Sequence, residues 1–138
     1  MCTASFVLNI GLDGVPVVGE SYTNGVRNPL VVDRMFTAVQ AARRAGFEIV
    51  NARLLQSDSE PTVVAVTRID ESRMEAAAMQ VAEALNQDCI AVLKQTTEQG
   101  WLIGPRAAAW GEFNPAFFLL PTGTRLSDAQ QVRKNETR

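Results

Sequence analysis

The stretch FEIVNARLLQSDSEPTVVAVTRI, residues 47–69, decides the fold. Two runs of aliphatic and β-branched residues, Phe47 to about Gln56 and Thr62 to Ile69, flank a polar loop from Ser57 to Pro61. Such runs around a short polar, proline-containing break predict a pair of neighbouring strands. Strand side chains alternate between the two faces of a sheet. In the first run Phe47, Ile49 and Leu55 fall on one side, and Val50, Ala52 and Leu54 on the other. In the second, Val64 and Val66 oppose Val63, Ala65 and Ile69. Neither side has the polar alternation of a wetted sheet face.

Helical signals lie on both sides of this hairpin. Before it, Asn28 suits a cap, Pro29 the first helical position and Gly46 the end. Val32, Met35, Phe36, Val39 and Ala42 fall on one face of that helix, with Asp33, Arg34, Thr37, Gln40 and Arg44 opposite. After the hairpin, Ser72 and Glu75 fit a capping box, with Asp70 as a competing cap. Met74, Ala77, Ala78, Val81, Ala84 and Leu85 make the apolar stripe of the second helix.

Further out, Phe6, Leu8 and Ile10 alternate with Ser5, Val7 and Asn9 in a strand from Ala4 to Leu12. Cys89 to Gln95 reads as another strand, and a loop through Gly100 turns it into a short fifth, Trp101 to Ile103. The order β-α-β-β-α-β plus one strand predicts an α+β protein. Its topology resembles the ferredoxin-like, split βαβ arrangement, an antiparallel sheet with two helices on one face. That fold hosts many functions and assigns none. Residues 1–121 are expected to form a single domain and 122–138 a polar, flexible tail, in which Ser127 could cap a marginal helix. The Asp13–Asn28 stretch, with Gly14, Gly19 and Gly25, reads as an arm or a lid.

Two helices cover one sheet face, so a second cover is needed. The sequence offers the segment Gly104–Pro121, which carries Trp110, Phe113, Phe117, Phe118, Leu119 and Leu120. It equally allows a second copy of the chain, sheet against sheet.

Composition narrows the chemistry. The chain has 138 residues, 15 acidic and 13 basic, with a formal net charge of −2, which suits one domain and argues against a nucleic-acid coat or an anionic-membrane binder. An RNA-recognition sheet needs stacking aromatics on its first and third strands, and Thr62–Ile69 has none. There is no histidine, which removes imidazole acid–base catalysis, His-dependent triads and imidazole metal sites. Cys2 and Cys89 lack Cys-x-x-Cys spacing and read as reduced thiols. The carboxylates Asp58, Glu60, Asp70 and Glu71 could share a proton or hold Mg²⁺, but acidic residues at a helix start are already accounted for by its dipole. Gly11 and Gly14 do not run into a helix, so they make no phosphate loop. No apolar run reaches the roughly 18–20 residues of a membrane span. The expected protein is cytoplasmic, without cofactor, metal or catalytic residues.

One binding constellation is conceivable. Trp101, Arg106 and Trp110 could form a wall for a planar or anionic ligand, joined by Tyr22, Arg53 and Arg68 in a pocket between the sheet and the aromatic segment. The plainer reading makes the aromatics a core lid and leaves the arginines solvated or ion-paired. The leading functional expectation is a non-enzymatic protein-interaction or regulatory domain, homodimeric or bound to another protein. The alternative is a small-ligand-binding protein or enzyme of the dimeric α/β-barrel type using that pocket.

Overall fold

The computed structural model describes residues 2–12, 29–57, 60–111, 113, 114, 116 and 118–129, with the side chains of 29–32 and 56–60 outside the description. The elements are β1 (Thr3–Gly11), α1 (Pro29–Ala45), β2 (Glu48–Ser57), β3 (Glu60–Asp70), α2 (Met74–Ala84), β4 (Ile90–Lys94) and β5 (Gly100–Ile103). The strands form one antiparallel sheet in the order β2-β3-β1-β4-β5. The chain is therefore α+β. The arm expected over 13–28 and the cap expected at Asn28 lie outside the described residues.

The helix-side core follows the alternation of β1. Phe6, Leu8 and Ile10 pack with Val63, Ala65 and Ile69 of β3 and Ile90 and Val92 of β4. Ala38 and Ala42 of α1 and Ala77, Ala78, Val81 and Ala82 of α2 close this layer, small side chains that let the helices approach the sheet. The helix α2 starts differently from the capping-box expectation. The Asp70 carboxylate accepts from the Ser72 backbone N–H at 3.0 Å and from its hydroxyl at 2.9 Å, and a 3₁₀ turn, Glu71–Arg73, precedes α2.

Two expectations for the edge of the sheet need correction. An extra residue in β2 shifts its register, with Ile49 opposite Thr67 but Asn51 opposite Val66. This β-bulge at Val50 breaks simple alternation, so Ile49, Ala52 and Leu54 all face the helices while Asn51, Arg53 and Leu55 face away. The placement of Val50, Ala52 and Leu54 on a side of their own is thereby overturned. Likewise Phe36, expected in the apolar stripe of α1, is 66 % exposed. The α1 contact is centred on Ala38 and Ala42, which turns Phe36 outward.

The second sheet face is covered by the chain itself. Val7, Val64 and Leu93 form a second core with Phe118, Leu119 and Leu126, edged by Leu55, Ala91, Phe113 and Leu120. The covering segment is a small hairpin. Leu119 bridges to Arg125, the Leu126 N–H donates to the Phe118 carbonyl at 2.8 Å, and residues 126–129 make a helical turn. Leu126, in the stretch read as a polar tail, is 1 % exposed. The Phe113 ring lies where a side chain at position 100 would stand, within 2.3 Å of an added Cβ, so Gly100 makes room for the segment.

Asn9 fastens the hairpin. Its side-chain amide donates to the Leu119 carbonyl at 3.0 Å, and its side-chain oxygen accepts the Leu119 N–H at 2.8 Å. The amide thus acts as a backbone-like partner projecting from the sheet face. Arg53 adds a hydrogen bond to the Pro121 carbonyl. Replacing Asn9 by Ala strands both Leu119 groups against an apolar sheet, so urea unfolding should show a loss of about 1–3 kcal/mol. Amide exchange over 118–126 should quicken while α2 keeps its protection. A stability change under about 0.5 kcal/mol would show that this clamp does not hold the hairpin.

Candidate functional site

The five described members of the expected pocket do not converge. Arg53 pairs across from Val64 and Arg68 across from Ser5 and Glu48, which puts both on the face away from the helices. Trp101 pairs across from Val92 on the helix-side face and packs its ring against Phe6, with centroids 6.5 Å apart. It lines a cleft of about 540 Å³ with Glu71, Met74 and Glu75 that includes none of the arginines. The sheet itself separates Trp101 from Arg53 and Arg68. Tyr22 lies outside the described residues.

Arg106 and Trp110 do meet, on a residue the sequence reading did not single out. The Asp88 carboxylate accepts a hydrogen bond and ion pair from the Arg106 guanidinium and another from the Trp110 indole N–H at 3.2 Å. Its backbone carbonyl accepts the Arg106 N–H at 2.9 Å. Gly104 crosses this point so closely that an added Cβ would lie 2.3 Å from the Asp88 carbonyl oxygen. Asp88 therefore ties the chain after β5 back over the start of β4. No pattern around Asp88 in the sequence signals this, since its partners lie 18 and 22 residues onward.

Two of the other candidate carboxylates are also engaged in holding backbone or surface. Asp70 caps the turn before α2, and Glu71 pairs with Lys94. Asp58 and the side chain of Glu60 lie outside the description. Among the described residues no three His, Cys, Asp or Glu side chains are grouped to hold a metal ion. Cys2 is exposed and Cys89 half-buried, with no disulfide between them. No helix among the described residues is long and apolar enough to cross a membrane.

Among the described residues, one surface feature without a structural task is apolar. Phe36 at 66 % and Val50 at 58 % exposure line the same groove between α1 and β2, about 340 Å³ in volume, together with Met35, Val39 and Ile49. Its rim is polar, with Arg43 and Asn51. The groove borders the outer edge of β2, which carries no further strand among the described residues. Sequence periodicity missed it, because Phe36 and Val50 both read as core positions. Comparison with protein families, with curated proteins and with solved structures finds no match for this chain.

The Asp88 cluster has a definite titration. The hydrogen bond from Arg106, then that from Trp110, holds its carboxyl below the ordinary aspartate value of 3.8, while slight desolvation opposes the shift. A lowered acid pKa stabilises the fold above the ordinary value, and the contribution is lost as pH falls through the lowered one. Because the pair lies at the surface, solvent screening keeps its effect small. Carboxyl NMR titration should place the Asp88 midpoint below 3.8 in the native chain and return it toward that value in Arg106→Gln. A native midpoint at or above 3.8 would show that the cluster does not form in solution.

Proposed function

We propose that this chain is a protein-interaction domain that works by contact rather than by catalysis, and that its docking surface is the α1–β2 groove. The observation that carries the reading is the placement of Phe36 and Val50, the most exposed large apolar side chains among the described residues besides Trp110, beside one another in a single groove. Scattered exposed hydrophobes need no explanation, but adjacent ones rimmed by polar groups mark contact surfaces. Burying a phenylalanine of this kind fully contributes about 1.5–3 kcal/mol, so Phe36 suits the centre of an interface. The groove also adjoins a sheet edge, whose unpaired backbone groups can bind an incoming strand.

The scaffold under this surface we read as the ferredoxin-like, split βαβ arrangement with β5 added beyond β4. The position of β1 and β3 between β2 and β4 supports that reading. The polar residues that sequence inspection offered for ligand binding support a contact role, since Arg53, Arg106 and Trp110 are engaged with Pro121 and Asp88.

A photo-crosslinking amino acid placed at position 50 should give protein adducts in cells, and the same probe at Glu83, on an exposed part of α2, should not. Adding Phe36→Ser should abolish the adducts while changing folding stability by less than about 0.5 kcal/mol, as expected for an exposed site. Equal labelling from both positions, or adducts that survive Phe36→Ser, would overturn the assignment.

A further inference from the structure

We infer that the partner seated in this groove is a second copy of the same chain, related by a two-fold axis at Asn51, next to Val50, that brings the outer edges of two β2 strands together antiparallel. The inference rests on the groove being the docking surface and names what docks there.

A two-fold contact must be self-complementary, with each residue meeting in the other copy the residue that meets it. In an antiparallel pair, residues directly opposite one another share a sheet face. Glu48 lies across from Arg68 and Arg53 across from Val64, so both stand on the face away from the helices. Ile49 and Ala52 both pack against the helix-side core. Residues five apart in a regular strand would point to opposite faces. The extra residue at Val50 cancels that parity. The bulge thus creates a strand that is symmetric about Asn51, with Glu48 matching Arg53, Ile49 matching Ala52 and Val50 standing out as the extra residue.

The charges on this edge are self-complementary in the same sense. When two copies meet about Asn51, Glu48 of each faces Arg53 of the other, giving two ion pairs that flank the centre of the contact. Glu48 is exposed and has no ion-pair partner among the described residues. Arg53 donates to the neutral Pro121 carbonyl and has no ion-pair partner among the described residues. On the helix side, Phe36 and Val39 of each copy border the same axis. Apolar side chains flanked by a charged rim are the ordinary anatomy of a specific interface, and the order of charges along the strand selects the partner and its direction.

Sedimentation velocity over a concentration series, with circular dichroism to confirm folding, tests this directly. The native chain should sediment as a dimer. Glu48→Arg and Arg53→Glu should each weaken self-association by about tenfold or more, since each puts like charges opposite one another at both ends of the contact. Mixing the two variants should restore a dimer. One copy then carries arginine at both positions and the other glutamate at both, so each end of the contact again pairs opposite charges. This rescue requires both variants to be folded, so it separates a broken contact from a broken fold. A native monomer whose position-50 probe captures a different protein would overturn the second-copy inference and leave the docking surface standing. A dimer that responds to Phe36→Ser but not to the charge variants would overturn the two-fold register alone. A dimer indifferent to all three changes would overturn both the register and the surface.

Discussion

A five-stranded sheet that is apolar on both sides has to be covered twice, and α1 and α2 supply one cover. Val7, Val64 and Leu93 face away from the helices and are nonetheless shut off from water. What shuts them off is the hairpin carrying Phe118, Leu119 and Leu126, and its position is dictated by Asn9, whose side chain offers Leu119 both halves of a backbone pairing. Burial of apolar area drives the hairpin onto the sheet, while the directional amide bonds choose where it sits. With that face closed by the chain itself, a sheet-on-sheet dimer through Val7 and Leu93 has no surface left to use. Exposed apolar surface is left at the α1–β2 groove instead.

The same division between cover and contact explains the polar residues. Arg106 and Trp110 could have lined a ligand wall, yet both are drawn to Asp88, where they fasten the return of the chain over β4. Arg53 reaches Pro121 and so steadies the far turn of the hairpin. These are positions where a charged or aromatic side chain near a strand end serves the backbone. Phe36 and Val50 are the opposite case, apolar side chains left largely open to water, and the proposed contact is placed there for that reason.

Much of the scaffold was legible because it rests on local periodicity. The alternation of Phe6, Leu8 and Ile10 and the split of Val64 and Val66 from Val63, Ala65 and Ile69 are reproduced in the sheet. The features that decide the contact surface were not. A bulge at Val50 is set by how β2 registers against β3, and nothing in the apolar run Ile49-Val50 reports it. Helical spacing fixes the apolar face of α1 only to within a residue or so, and the choice of Ala38 and Ala42 as the contact turned Phe36 outward. Leu126 stands alone among polar neighbours, so no period marks it as buried, and Asp88 has partners too far along the chain to be paired by inspection. Asn9 was the one available clue: a polar residue in the middle of β1 beside Val7 that needed a partner.

The claim on which the rest depends is that the hairpin belongs to the folded core. Urea unfolding of Leu126→Ala, followed together by circular dichroism and tryptophan fluorescence, reads it most directly. Truncating a fully buried leucine in a closed core should cost about 2–5 kcal/mol, and the two signals should move together in a single transition. A loss below about 0.5 kcal/mol, or a separate early transition, would mean that the hairpin is peripheral and that the second face of the sheet is covered by something else.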